Sequence, residues 1–271
     1  GYFYPADNIK AIMKCPRRVG IVSQGLVARM TEAADLLKQQ EYECVILDEA
    51  HRARRRNPNK NPDNCKADPN YLLEFLNAIS FKTRSLLLAT ATPVQVNTIE
   101  AFDLINALSL STDKIMGDKY SEWHRKPQFM LDMVCGKEPV PNSEITMWNI
   151  LRNPFPTRTP GAFPINFLRD RLDVADDTYV LPPSDYQNYR FSTKEKLLTL
   201  YTTEDFVHNY NPYIRFIVRR TREFLESTIN PATGEPYLPK INIILYGEKN
   251  TEAVALEGYL RQAYEKAQEF C

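Results

Sequence analysis

Three short runs of consecutive apolar residues constrain the fold most: Val19-Gly20-Ile21-Val22, Cys44-Val45-Ile46-Leu47 and Leu86-Leu87-Leu88-Ala89. A strand with one wet face alternates apolar and polar residues. A continuous apolar run is instead the pattern of a strand covered on both faces, as in a parallel sheet. Helical patterns separate the runs. Residues 31–40 (T-E-A-A-D-L-L-K-Q-Q) favour helix by propensity. Leu72, Phe75, Leu76 and Ile79 recur at i, i+3, i+4 and i+7 as one apolar stripe, with Asp68 expected as N-cap and Pro69 at the first helical position. Ala101, Leu104, Ile105 and Leu108 form a second stripe. This alternation predicts an α/β fold built on a doubly wound parallel sheet. Between the second strand and its helix, residues 57–68 (N-P-N-K-N-P-D-N-C-K-A-D) are polar and Pro-broken, which predicts an exposed, mobile loop.

The character changes near residue 110. Thirteen of the 19 prolines fall between Pro127 and Pro239, and the stretch N-P-F-P-T-R-T-P-G-A-F-P at 153–164 excludes a long helix or a central strand there. Helices broken by ordered loops are expected, with the better candidates at 193–209 and 213–226. A turn at 230–234 (N-P-A-T-G), a strand through Ile241, Ile243 and Leu245, and a last helix over 251–270 follow.

At 271 residues and 43% hydrophobic content, the chain is long enough to bury a sizeable core. Its 34 basic and 34 acidic residues cancel, which excludes binding through bulk charge but not through a local basic patch. No apolar run approaches the roughly 18 residues of a membrane span, and Gly1-Tyr2-Phe3-Tyr4-Pro5 lacks the basic n-region of a signal peptide. No membrane partner is expected. The five cysteines are scattered without a C-x-x-C pair, so neither a disulfide framework nor a zinc ribbon is indicated, and a reducing cytoplasm is the expected location.

The segment richest in chemistry is Cys44-Val45-Ile46-Leu47-Asp48-Glu49-Ala50-His51. Two carboxylates follow directly on an apolar strand, and open α/β sheets bind their ligands at the carboxyl ends of the strands. An apolar strand ending in Asp is the Walker B pattern, in which the carboxylate holds Mg²⁺, usually through water, at the phosphates of a nucleotide. A neighbouring Glu is suited to deprotonate the attacking water. The same residues also describe a strand that ends in a solvated acidic turn. A second signal, Leu88-Ala89-Thr90-Ala91-Thr92-Pro93, ends the next strand with two hydroxyls. The two strand ends are expected side by side at one edge of the sheet, where Thr90 and Thr92 are placed to hydrogen-bond His51. Thr92 and Pro93 also fit the N-cap and first position of a helix.

D-E-A-H followed by L-L-L-A-T-A-T-P-V-Q-V-N-T-I-E-A-F-D-L-I-N-A-L resembles the Swi/Snf-type helicase-like ATPases of helicase superfamily two. Asp48, Glu49, His51, Thr90, Thr92, Pro93 and Gln95 match the family pattern. Val19-Gly20-Ile21-Val22-Ser23-Gln24-Gly25-Leu26 looks like the family's strand-and-serine motif, and Phe216-Ile217-Val218-Arg219-Arg220-Thr221 like its double-arginine segment. The four segments stand in family order, and the bacterial branch is the most similar. The resemblance implies an incomplete RecA-like doubly wound sheet with an appended, mainly helical subdomain. Residues 1–110 would be part of motor lobe one, residues 111–212 a Pro-rich helical insert, and residues 213–271 a closing segment leading toward a second RecA-like lobe. It implies ATP and Mg²⁺ as cofactors and a nucleic acid, duplex DNA, as partner. Asp48 would position the metal and Glu49 the water, while His51, Thr90, Thr92 and Gln95 couple hydrolysis to lobe movement.

The phosphate-cradling G-x-x-x-x-G-K-[ST] loop is absent. Gly20-x-x-x-x-Gly25 is followed by Leu26 and Val27 instead of Lys and Ser/Thr. The family places that loop N-terminal to the first matched segment, and the second lobe beyond Cys271. The expectation is therefore a fragment of a motor, inactive alone. An RNA helicase of the D-E-A-D/D-E-A-H type is disfavoured because such enzymes usually carry S-A-T. A non-catalytic interaction module derived from a degenerate motor is the alternative of another class.

His51-Arg52-Ala53-Arg54-Arg55-Arg56 sets four arginines just past the acids. They read either as contacts to nucleic-acid phosphates or to the other lobe, with Ser23 and Gln24 beside them, or as a solvated charge run. Arg215, Arg219 and Arg222 fall at i, i+4 and i+7 and would share a helix face. The resemblance gives Arg219 and Arg220 a lobe-bracing or nucleic-acid role. The many aromatics of 179–216 read as core before base-stacking platforms. His124 and His208 have no ligand spacing to a cysteine or second histidine.

Overall fold

The computed structural model describes residues 19–92, 94, 97–202 and 206–240, together with Gln262 and Lys266. The described residues fall into two compact units that divide between Val218 and Arg219.

The first unit begins with mixed helix and strand. Helices α1 (Gln24–Val27) and α2 (Glu32–Lys38) precede strand β1 (Tyr42–Leu47), helix α3 (Tyr71–Ser80), strand β2 (Thr83–Leu88) and helix α4 (Ile99–Ser109). Strands β1 and β2 pair in parallel, with Ile46 opposite Leu87 and Leu47 opposite Leu88. The Thr31 side chain caps α2 by accepting from Ala34 N, and its last turn carries Lys38 against the helix dipole. Helix α3 starts two residues later than the Asp68-Pro69 pattern predicts. Asn70 is its N-cap, accepting from Leu73 N, because Pro69 instead sits in an antiparallel bridge opposite Arg55. Its stripe is as expected: Leu72, Leu76 and Ile79 are buried, Phe75 partly so, with Leu73 added.

Two expectations for the sheet are corrected. Residues 19–22 are not a strand. Val19 and Ile21 are 82% and 81% exposed, since among the described residues β1 and β2 bond only to each other. Among the described residues the sheet is also covered on one face rather than two. Val45, Leu47, Leu86 and Leu88 pack on the core made by α3 and its neighbours, while Ile46 and Leu87 remain 65% and 55% exposed on the other face.

Helix α4 joins two cores. Leu104 and Ala107 belong to the small core under the sheet, and Ile99, Phe102 and Ile105 to a larger aromatic core. The expected single stripe is therefore widened: a helix wedged between two cores buries most of its circumference. Helix α4 also begins at Ile99, after an N-cap at Thr98, so Thr92 caps no helix here.

The larger core is built by short helices separated by ordered loops, and it takes in Ile99, Phe102, Ile105 and Tyr213 as well as residues between 111 and 212. Trp123 and Trp148 are fully buried, and each indole N–H is satisfied, by Ile150 O and Pro183 O at 3.2 Å. Tyr186, Tyr201, Phe206 and Tyr213 are buried around them, so the aromatics of 179–216 are chiefly core. Phe191 is the exception, 82% exposed. Gly117, at φ 77°, lies against the buried Asn153, and a Cβ there would stand 2.0 Å from Asn153 Oδ1. Only glycine fits. Asn153 in turn bonds Asp118 and accepts from Ser121 Oγ. Arg169, fully buried, donates to the carbonyls of Pro156, Ala175 and Thr178.

The helix expected at 193–209 is a helix over Phe191–Thr202 and a π turn over Phe206–Tyr210. The helix expected at 213–226 is broken. Pro212–Phe216 ends at Ile217, whose backbone is extended (ψ 117°). A separate helix, Arg222–Ser227, starts after the Thr221 cap, whose side chain accepts from Phe224 N. Arg215, Arg219 and Arg222 thus share no helix face. In the second unit the expected turn is present: Gly234 N donates to Asn230 O, and Ile229 bridges Pro236. The strand expected at 241–245 lies outside the described residues, as do Pro93 and Gln95, and of the helix expected at 251–270 Gln262 and Lys266 are described, both helical. No helix among the described residues is long and apolar enough to cross a membrane.

Candidate active site and arginine cleft

The backbone brings the two predicted motifs together. Beyond the strands, Ala89 N donates to Leu47 O and Ala50 N to Ala89 O, both at 2.9 Å. The ladder therefore continues past the strand ends and fixes the Asp48–His51 turn beside Thr90. His51 Nδ1 lies 2.9 Å from Thr90 Oγ1 and 3.2 Å from Glu49 Oε2. The expected link from His51 to the second motif is made through Thr90. Thr92 contributes its backbone N–H, which donates to Thr90 Oγ1 at 3.2 Å.

Glu49 sits at φ 48°, ψ 45°, in the left-handed region. That conformation costs a non-glycine residue about 1–2 kcal/mol. Asp48 offsets part of it, since its Oδ1 accepts from Glu49 N at 2.9 Å. The result is a sharp turn that separates the two carboxylates and sends the chain into a 3₁₀ turn, Ala50–Arg52. Gln24, from α1, donates its side-chain amide to Asp48 O. Ser23 precedes α1 and is exposed.

The oxygens present suit a hard cation. Mg²⁺ keeps several waters and takes one or two protein carboxylates plus substrate phosphates. It needs no cage, and among the described residues no group of three or more His, Cys, Asp or Glu is placed to form one. Asp48, at the strand end with Thr90 nearby, fits the single-carboxylate role.

The arginine run resolves into two populations. From Arg52 to Arg56, exposure alternates: Arg52, Arg54 and Arg56 are exposed, and Ala53 and Arg55 buried. Alternation is what an extended chain imposes, and the strip runs antiparallel to 68–70, with Arg56 N donating to Asp68 O and Asn70 N to Arg54 O. Arg55 turns inward to Asp103 on α4. Its Nε and Nη2 meet the two carboxylate oxygens at 2.8 and 2.6 Å, with both side chains almost fully buried. Burial pushes the Asp103 carboxyl up, and the two bonds from Arg55 pull it back. Sequence reading missed this pair. The available signal was the acid inside the apolar repeat of α4.

The outward arginines face a cleft of about 450 Å³ lined by Gln24, His51, Arg52, Arg54, Arg56 and Tyr71 among others. The loop at 57–68, expected to be mobile, is tied down at several points. Asn57 bonds Lys66 O and Asp68 N, Asn97 donates to Pro58 O, and Asp63 accepts from Gln128 N. Asx-type bonds of this kind fix a polar loop that composition alone marks as free.

Arg219 and Arg220 lie at the start of the second unit, outside a helix and exposed, with the Arg220 guanidinium 5.1 Å from the Phe224 ring. No family model, curated protein or solved structure matches this chain.

Proposed function

We propose that this chain carries the metal-binding and water-activating part of a nucleic-acid-dependent ATP hydrolase, a Swi/Snf-type translocase acting on duplex DNA and built on a RecA-like lobe. The observation that carries this reading is the contact between His51 and Thr90 at 2.9 Å, which ties the acid-bearing end of β1 to the hydroxyl-bearing end of β2. The left-handed backbone of Glu49 and the link from His51 to Thr90 support this reading over a solvated acidic turn.

In this reading Asp48 holds Mg²⁺, which supplies charge neutralisation at the phosphates of ATP. Glu49, on its own turn and free of the strand ladder, accepts the proton of the attacking water. His51 Nδ1 meets both Thr90 Oγ1 and Glu49 Oε2, so the hydroxyl and the carboxylate share one ring nitrogen. A change at Glu49 therefore alters what that nitrogen offers Thr90, at the start of the segment after β2.

The test is ATP hydrolysis by the protein that carries this chain, at its natural length, without nucleic acid and with duplex DNA, single-stranded DNA or RNA. Duplex-stimulated turnover is expected, with kcat lowered about 10²–10⁴-fold in Glu49→Gln and nucleotide binding retained. Stimulation by RNA alone would favour an RNA helicase. Turnover absent under every condition would favour the interaction module.

A further inference from the structure

The outward arginines are the strongest feature that the hydrolytic centre leaves unused. Arg52 and Arg54 have no ion-pair partner among the described residues, and Arg56 has only a long contact to Asp68, 3.7 Å at the surface. None of the described residues lining their cleft is acidic. In a chain of zero net charge, gathering three cations on one wall is a local choice that raises mutual repulsion until an anion is present. Arg54 and Arg56 stand two residues apart on extended chain, about 6.6 Å along it by the rise per residue. The Arg56 guanidinium is held 4.8 Å from the Tyr71 ring. That stacking restricts the fork without consuming its donors, so less freedom is lost when it binds.

We infer that this cleft is a phosphate-binding track for a nucleic-acid backbone, with Arg52, Arg54 and Arg56 each meeting a separate phosphodiester. The inference rests on the nucleic-acid half of the proposed function and adds the surface and the mode. Guanidinium forks recognise phosphate oxygens in pairs, and contacts of this kind position the polymer without reading its sequence. The three arginines along the strip give a backbone more than one contact, while a second hollow of about 340 Å³ that shares Arg54, Arg56 and Asn70 also has Glu100 in its lining, so the track is set by the first cleft. Because His51 lines the same wall, a bound backbone would lie against the residue that links Glu49 to Thr90.

The experiment is fluorescence anisotropy of the 271-residue chain, in the absence of nucleotide, with a labelled duplex and its single strand across a salt series. Inorganic phosphate and polyglutamate serve as competitors. Each lost phosphate contact should flatten the log K against log salt line by about 0.9 for duplex or about 0.7 for single strand. Arg52→Ala/Arg54→Ala should therefore lower the duplex slope by nearly two and weaken every sequence alike. Arg84→Ala, which removes an exposed arginine on β2 outside the cleft, should leave the slope unchanged. Circular dichroism checks that the variants remain folded. Equal slopes for the double variant and the native chain, an equal drop in Arg84→Ala, or displacement by polyglutamate as effective as by unlabelled duplex would each overturn the inference. Loss of ATP hydrolysis with arginine-dependent binding intact would sink the proposed function and leave this surface standing.

Discussion

The helical region and the sheet region of the first unit are built to different standards. Around Trp123 and Trp148 the core is aromatic, deep and closed. Edge-on and tilted ring contacts link Trp148 to Tyr186 and Tyr189, and Trp123 to Phe206 and Tyr213, at 5.5–6.3 Å. Under β1 and β2 the core consists of Val, Ala, Leu and Ile, and the other face of the sheet shows Ile46 and Leu87 to solvent. Asp48, Glu49, His51 and Thr90 sit at the edge of the smaller core. The buried aromatic side chains are concentrated away from the Asp48–His51 turn, and the Arg55–Asp103 pair and helix α4 connect the two cores.

The largest effect should come from breaking the stronger side. Trp148→Ala removes a fully buried indole and its hydrogen bond to Pro183 O. It should cost about 3–5 kcal/mol, read as a lowered urea midpoint. Asp103→Ala should cost a similar amount by a different route, leaving the Arg55 cation buried without its partner. Hydrogen exchange then sharpens the comparison. Because Asp103 lies on the helix shared by both cores, its loss should raise exchange in β1, β2 and the Trp123 region together. If only the β1–β2 amides respond, α4 does not couple the regions.

The sequence made the local grammar legible and left the tertiary partners hidden. The stripes of α3 and α4, the strands β1 and β2 and the adjacency of His51 to Thr90 follow from apolar periodicity and from motif spacing. The 19–22 run failed because a strand is defined by a neighbour, and an apolar tetrapeptide says nothing about whether one is present. The helix expected across 213–226 failed because intrinsic propensity is weak beside context. Ile217 and Val218 are β-branched, and the Thr221 cap restarts the helix. Arg55 looked like its neighbours in sequence. Its different fate depends on chain direction between 52 and 56 and on an aspartate 48 residues away, neither of which a charge run encodes. Glu49's left-handed backbone was likewise invisible, since nothing in Asp-Glu-Ala-His demands it.

A smaller effect tests the helical region through pH. His124 is half-buried beside Trp123, and burial lowers its pKa below the ordinary value, despite the opposing pull of Gly117, Asp118 and Asp113. The folded state thus takes up this proton less readily than the unfolded chain. As pH falls through the unfolded value near ~6.5, the unfolded state gains a proton that the native state resists, and stability drops. Above that value the contribution is level. Urea midpoints measured at pH 7.5 and 5.5 should fall for the native chain and fall less for His124→Asn. An equal fall in both would assign the pH dependence to other groups.

The smallest effect belongs to the open face of the sheet. Ile46 and Leu87 are paired across β1 and β2, yet each keeps more than half of its surface in water. Little area is therefore returned to solvent when they are shortened, and exposed substitutions away from special features usually change stability by less than about 0.5 kcal/mol. Ile46→Ser/Leu87→Ser should leave the urea midpoint of the 271-residue chain almost where it was, in contrast to the large fall expected of Trp148→Ala in the helical core. The same double change probes what the face is for. Measured in the protein that carries this chain at its natural length, a loss of several kcal/mol there would mean that further residues of that protein cover Ile46 and Leu87. An unchanged midpoint in both settings would mean that the face is open in the working protein, and that the Asp48–His51 turn is held from the covered face of the sheet and by its own backbone bonds.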